Sequence, residues 1–291
     1  MNPQTGEILA MASTPGFNNN KYSLSSPDLH RVRSITSEGE AGSTFKIVPA
    51  VAALAENKVS LTDEFNCENG EMDYYSIKVR DHESYGMLTV PQIIRYQCNI
   101  GVIKVIEQVG SKSLYNTSRN FGFGALTGIS LGGESLGKLK SVKNWSAVSL
   151  GQISMGHEVG VTALQLATAY CAIANGGYLV TPILVRQIMD HNEDIVYAED
   201  PSIIRKVANG STMESLRLIL ICQHRFSRHR YIFGCTPKGK EDRLGRDIAF
   251  GEDAHSGAHG DADAVRTPAG RRLAAGLSRL RPRFDHRGGP S

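Results

Sequence analysis

The sequence predicts a mixed α/β (α+β) globular fold, and three observations carry that expectation. Helical periodicity is present at 45–55, where Phe45, Val48, Ala52 and Ala55 follow 3,4 spacing, and again at 163–174. Short apolar runs alternate with turn chemistry between Val59 and Val90, with Asn69-Gly70 the clearest turn. The chain has 291 residues, 41% hydrophobic and 21% charged, enough apolar mass for a core in one large domain or two ordinary ones.

In chain order, residues 1–6 are turn chemistry, and 7–13 form an apolar run suited to a buried strand. A hairpin is expected whose first strand lies before residue 1, so the chain is expected to begin in mid-hairpin. Residues 14–30 are loop. They lead to Glu40-Ala41-Gly42-Ser43-Thr44-Phe45-Lys46, where a serine and a lysine three residues apart open an apolar helix. Residues so spaced share one helical face about 5–6 Å apart. A lysine kept neutral by burial can take the proton of Ser43, which then attacks a carbonyl to form an acyl-enzyme. The alternative is an N-cap serine followed by a solvated first-turn lysine.

Ser-x-x-Lys alone decides little, since it recurs by chance roughly once in a few hundred residues. A second copy, Ser135-Leu136-Gly137-Lys138, lies among glycines with no apolar period to hold its ends on one face. Pro49 is expected to bend the first helix. Thr89 caps a further helix, which Gln97-Cys98-Asn99 interrupts before residues 102–109; such a break either projects side chains into a cleft or is a plain helix corner. The glycines of 121–134 lack a following Lys-Ser/Thr, so turns and close packing are favoured over phosphate binding. Trp145 reads as a packing anchor. Thr162 and Gln165 form a capping box on a structural helix ending at Asn175-Gly176-Gly177, with Leu166, Ala167, Tyr170, Ile173 and Ala174 toward the core. Residues 178–180 and 183–185 are strand-like, and Ser211 to Glu214 is a second capping box.

Near Cys222 the texture changes to Arg, His, Gly, Ala and Asp without a sustained period, and about a dozen arginines lie beyond it. Residues 1–221 and 222–291 are therefore expected to be distinct, the second a basic, low-order tail that is out of frame or foreign. Residues 271–280 could form a short basic helix there. Cys222, His224, His229 and Cys235 are zinc-type ligands, but Cys-x-His is tighter than the usual loop; the His255, His259, Asp253, Asp261 and Asp263 group reads as solvated. Neither metal nor cofactor is expected. Five scattered cysteines suggest no disulfide framework, and no apolar run approaches about 18 residues. The net charge of +3 is too small to argue for nucleic acid by itself.

Several ordered blocks between residues 2 and 221 resemble the transpeptidase domain of class B penicillin-binding proteins. They are residues 5–13, Gly42-Ser43-Thr44-Phe45-Lys46, Asn99-Ile100-Gly101, Phe121-Gly122-Phe123-Gly124, and 160–167 leading to Ala174-Asn175-Gly176-Gly177. The resemblance implies a β-lactamase/transpeptidase-like fold, an antiparallel sheet with helices on both faces, incomplete in this chain. It implies a D,D-transpeptidase in which Ser43 attacks the penultimate D-Ala carbonyl of a peptidoglycan stem peptide, or a β-lactam. Lys46 would be the base, Asn99 would hold the substrate amide beside Gln97 and Cys98, and the Ser43 N–H would give half an oxyanion hole. Partners would be cell-wall synthesis or division proteins, and the family is anchored in the inner membrane with its catalytic domain outside the cytoplasm.

Three departures accompany the resemblance. The family's Ser-x-Asn begins here with Gln97, which has no hydroxyl to pass a proton. No Lys-[Ser/Thr]-Gly follows residue 101, and Pro237-Lys238-Gly239-Lys240 is no substitute. That motif supplies the family's carboxylate site, the other oxyanion donor and an edge strand. The resemblance also leads to the expectation that the chain lacks the family's anchor and non-catalytic domain. The expectation is a truncated fragment of impaired activity, whose Ser43 helix loses apolar backing. Competing expectations are a D,D-carboxypeptidase or β-lactamase, and a non-catalytic remnant whose tail contacts nucleic acid or anionic surfaces.

Overall fold

The computed structural model describes residues 1–233, with side chains through Cys222, all within the first of two units, Met1–Thr236 and Pro237–Ser291. The expectations for 234–291, including the His255 group, the Lys238 tetrapeptide and the helix at 271–280, lie outside the described residues. So do the side chains of His224 and His229 and all of Cys235.

The described fold is mixed, with helices and small antiparallel sheets. Its helices are α1 (Arg33–Thr36), α2 (Ile47–Ala55), α3 (Val90–Tyr96), α4 (Asn99–Glu107), α5 (Ser111–Asn120), α6 (Ser149–Ser154), α7 (Ala163–Ala174) and α8 (Gly210–Phe233). Its strands are β1 (Gly39–Glu40), β2 (Glu64–Asn66), β3 (Glu71–Tyr74), β4 (Ile77–Arg80), β5 (Met87–Thr89), β6 (Gly160–Val161), β7 (Tyr178–Val180), β8 (Gln187–Met189), β9 (Ile195–Ala198) and β10 (Ile203–Lys206). They pair antiparallel as β1 with β6, β2 with β5, β3 with β4, β7 with β10 and β8 with β9.

Helix α2 is the centre of the main core. Residues 47–53 are all buried, enclosed by Ile94, Ile106, Leu114, Ile173, Met213 and Leu216 from the surrounding helices. The expected loss of apolar backing is therefore not observed among the described residues, because α3, α4, α5 and α8 pack on this helix themselves. The turn before α2, Gly42–Lys46, is 3₁₀ rather than α, and Pro49 falls in the first turn of α2, where an amide N–H has no intrahelical partner. The proline thus marks the junction of the two helix types. Phe45 is buried behind that turn, its ring 5.1 Å from Phe123 and tilted by 51°, so the Phe-Gly-Phe-Gly block braces the turn from below.

Local signals account for many boundaries. Thr89 caps α3 as expected, and its N–H also takes Gln92 Oε1 as acceptor at 2.8 Å; the Gln165 N–H donates to Thr162 Oγ1 at 3.1 Å, so the capping box of α7 forms where the sequence puts it. Gln97, at φ +59, ends α3, and α4 starts at Asn99, earlier than residue 102. Trp145 is half-buried against the main core, its indole N–H donating to the Lys140 carbonyl.

Other expectations are corrected. Residues 7–13 form no strand; only Glu7 makes a parallel bridge, with Ile183, and 183–185 is otherwise irregular, because neither run finds a longer partner among the described residues. The cap of α8 is Asn209, whose Oδ1 accepts from the Thr212 N–H at 2.8 Å, while Glu214 pairs with Arg217 instead of closing a box. Helix α7 buries Leu164, Gln165, Thr168, Ala169, Cys171, Ala172 and Ile173, whereas Leu166, Ala167 and Tyr170 are half-buried and Ala174 is exposed. It is covered on more than one side, so a single stripe was the wrong template, and its buried Gln165 is satisfied by the carbonyls of Ala125 and Leu136. Ser135 and Lys138 lie outside any helix, as their glycine setting predicts.

Two contacts tie the Ser43 turn to the chain after α6. Strand β1, just before it, pairs with β6, and the Gly42 N–H donates to the Gly156 carbonyl at 3.1 Å. Gly156 has φ +90, and a Cβ there would collide with the Gly42 backbone. Gly176 has φ +86 but open space around it, which separates backbone strain from collision. Gly156→Ala is expected to cost roughly 3 kcal/mol of unfolding free energy, strain plus overpacking. Gly176→Ala should cost about 1 kcal/mol, from strain alone. Urea denaturation measures both, and equal losses would contradict the close approach.

Candidate active site

The 3₁₀ turn eclipses residues three apart, so Ser43 and Lys46 emerge on one side of it. Ser43 is exposed, while Lys46 is 1% exposed although it carries an amine. The Lys46 Nζ donates to Asn99 Oδ1 at 2.7 Å and to the Gln97 carbonyl. The serine and the helix break that the sequence singles out are thus joined through this lysine. Its hydrogen bonds run to Gln97 and Asn99 rather than to Ser43.

The Gln97 carbonyl is available because α3 ends there in the left-handed conformation, which turns it out of the helix. Asn99 follows as the first residue of α4, and its side chain is held at both ends: the Nδ2 donates to the Arg80 carbonyl at 2.8 Å while the Oδ1 faces Lys46. Burial pushes the Lys46 pKa down to about 8, against the opposing attraction of the Asp81 carboxylate. A substantial fraction of this amine is therefore neutral near physiological pH.

Gln97 and Cys98 differ from expectation. The Gln97 Nε2 donates to the Ile94 carbonyl at 2.9 Å, leaving Oε1 buried without a partner. Cys98 is 0% exposed and caps α4: its Sγ accepts from the Gly101 N–H at 3.1 Å and donates to Asp81 Oδ2 at 3.0 Å. A hydrogen bond with the Cys67 thiol, burial and the Asp81 contact all push the Cys98 thiol up, so it stays protonated. Packed in this way, Cys98 shapes the loop and has no surface with which to touch a substrate.

Ser43, Thr44, Lys46 and Gln97 line a cavity of about 220 Å³, closed on other sides by Ile47, Ile94, Tyr170 and Leu220. A larger cleft at the far end of α2, between Leu54 and Ser211, contains no ionisable side chain. Tyr170 and Leu220 were missed by sequence reasoning. The Tyr170 hydroxyl donates to the Thr44 carbonyl at 3.1 Å, a contact between residues 126 apart that no local pattern signals. Asp81 was also missed: its Oδ1 accepts from the Asn99 N–H.

The chain is similar to known proteins. The penicillin binding protein transpeptidase domain family matches residues 1–225. The chain is 31% identical to stage V sporulation protein D of Bacillus subtilis over 246 residues, 82% of this chain and 38% of that protein. It is 32% identical to the peptidoglycan D,D-transpeptidase FtsI of Escherichia coli over 184 residues, 63% of this chain and 31% of that protein. It thus spans well under half the length of these relatives. Among solved structures, the transpeptidase domain of Burkholderia pseudomallei penicillin-binding protein 3 is similar at a TM-score of 0.64 and 25% identity, covering 76% of this chain and 59% of that one. Penicillin-binding protein 3 of Mycobacterium tuberculosis, solved with ampicillin, is similar at 0.60 and 27%, covering 65% and 42%. With the family matched over residues 1–225, the chain belongs to the penicillin-binding protein transpeptidase family.

Proposed function

We propose that residues 1–221 carry an acyl-serine site of the peptidoglycan D,D-transpeptidase type, with Ser43 as nucleophile and Lys46 as its base. The observation that supports this most is the bonding of Lys46. A neutral amine has two N–H bonds and one lone pair, and its two acceptors here are the Gln97 carbonyl and Asn99 Oδ1. What remains is the lone pair, in the cavity that Ser43 shares.

In the proposed reaction the Ser43 hydroxyl gives its proton to Lys46 as its oxygen bonds to the penultimate D-Ala carbonyl of a stem peptide. The developing oxyanion takes a hydrogen bond from the Ser43 N–H. As the carbonyl carbon–nitrogen bond breaks, Lys46 returns the proton to the departing D-Ala amine. An amine of a second strand then attacks the ester, a proton passes back to Ser43, and the cross-link is released. A β-lactam would open on the same serine. Asn99, with one amide hydrogen still free, would donate to the acceptor side of the substrate.

Turnover in this chain is impaired on the same reading. No Lys-[Ser/Thr]-Gly follows residue 101, so a carboxylate site and a second oxyanion donor of that kind are lacking. Gln97 cannot replace the hydroxyl of a serine, because its Nε2 is committed to Ile94 and an amide does not relay protons at neutral pH. Stem peptides are the substrate class, and cell-wall synthesis or division proteins the partners. The site would work outside the cytoplasmic membrane, while residues 222–291 form a basic segment of separate origin.

The test is covalent labelling of the full chain with a fluorescent penicillin. Slow labelling of the wild type and complete loss in Ser43→Ala are expected; equal labelling of the two, or none in a wild type shown to be folded, would refute the proposal. The pH profile tests the base separately. Lys46 acts when unprotonated, so the acylation rate should rise with pH through about 8 and level off above it. A rate falling over that interval would exclude Lys46 as the base.

A further inference from the structure

Asp81 stands at the end of β4 and is engaged on all sides by the segment that faces Lys46. Its own N–H donates to the Gly70 carbonyl at 3.0 Å, which anchors its backbone to the turn before β3. From there its two carboxylate oxygens reach 17 and 18 residues along the chain: Oδ2 accepts from the Cys98 thiol and Oδ1 from the Asn99 N–H. The neighbouring Arg80 carbonyl accepts the Asn99 Nδ2. The Asn99 N–H is one of the first-turn donors of α4 that no helical carbonyl can satisfy, and a carboxylate there is favoured by the helix dipole.

We propose that Asp81 is a positioning residue of the Ser43 site, clamping Cys98 and Asn99 so that Asn99 Oδ1 and the Gln97 carbonyl stay within reach of the Lys46 amine. This rests on the acyl-serine reading for its catalytic meaning, though the clamp itself is independent of it. A helix cap in any other place would serve α4 alone. This one also fixes both acceptors of a buried amine, since Gln97, Cys98 and Asn99 are consecutive, and loosening the middle of that run moves both ends.

Asp81 has a second effect on the same amine. Among the described residues, the ionisable groups around Lys46 are Asp81 from the end of β4, Cys98 from the start of α4 and Tyr170 from α7, while the described part of α8 contributes apolar Leu220. Cys98 is held as the neutral thiol, so Asp81 is the negative charge acting on Lys46 at neutral pH. Removing that charge removes an attraction for the proton, and Lys46 should then lose its proton at lower pH.

Asp81→Asn and Asp81→Glu in the full chain test this, read by NMR titration of the ¹³C-labelled Lys46 side chain and by hydrogen exchange at the Asn99 amide. In Asp81→Asn the Asn99 amide should exchange about tenfold faster or more, as expected on losing a charge-assisted hydrogen bond. The Lys46 titration should move to lower pH, with the rising limb of penicillin acylation following it. In Asp81→Glu the exchange should quicken while the titration stays nearer the wild type, because the charge is kept and the reach is altered. A purely structural cap predicts faster exchange with an unmoved titration, and that result in Asp81→Asn overturns the proposal. If Asp81→Asn fails to fold, faster Asn99 exchange in a folded Asp81→Glu supports the clamp and unchanged exchange overturns it; failure of both variants to fold also overturns it, since a scaffold role would then suffice. A moved titration in a chain that penicillin never labels would keep the clamp and sink the acyl-serine reading; labelling with an unmoved titration would do the reverse.

Discussion

The structure depends on keeping one amine out of water. Burying Lys46 is costly for the charged form unless acceptors replace its hydration, and the two it finds are supplied by the junction between α3 and α4. That requirement explains the shape of the junction. Helix α3 must end early enough to release the Gln97 carbonyl, the chain must pass through a left-handed residue, and α4 must restart at once so that Asn99 is held by its own first turn. A continuous helix through 90–107 would tie up the Gln97 carbonyl and leave the lysine with half of its partners.

The same constraint reaches the opposite side of the turn. Lys46 can only meet Gln97 and Asn99 if the 3₁₀ turn holds its place, and that turn is short, with few hydrogen bonds of its own. Its position is imposed from outside: Phe45 against Phe123 below, Gly156 against Gly42 behind, β1 on β6 before it, and the Tyr170 hydroxyl on the Thr44 carbonyl beside it. Packing of this kind is stiff because neighbouring side chains have no volume to move into. Three segments, around Phe123, at 156–161 and in α7, therefore converge on the turn and the strand before it, which fits a site whose geometry must be held before any ligand arrives.

How much of this the sequence reveals follows from the range of each interaction. The cap at Thr89 and the capping box at Thr162 act within three residues, so they are legible, and so is the 43/46 spacing, which one turn of helix fixes. The Gln97 to Asn99 break is legible as a break, but its partner is not: Lys46 lies 53 residues before Asn99, and only the ordered blocks of a family link the two. Asp81 carries no local signal, since an aspartate after a strand is ordinary loop chemistry until the fold sets it against Asn99. The misread face of α7 has a different origin. Periodicity finds a single apolar stripe, and a helix covered on several sides, with Gln165 and Thr168 buried and bonded, has none. Residues 7–13 look like a strand because their composition suits one, but a strand exists only through its partner.

Acyl transfer by a serine divides into two physical tasks, and the described residues provide for them unequally. Making the nucleophile requires a base with an accessible neutral form, which on the proposed reading Lys46, held by Gln97 and Asn99, would provide. Stabilising the oxyanion and holding a carboxylate require further donors, and Leu220 of α8, which lines the same cavity, is an apolar side chain that offers neither. If Ser43 is the nucleophile, the first task alone should permit slow reaction with a strained, self-activated carbonyl such as a β-lactam. An unstrained peptide relies on the second task far more, because its carbonyl gains reactivity only from the donors around it. On the acyl-serine reading, a scarcity of donors around the carbonyl would therefore separate strained from unstrained substrates.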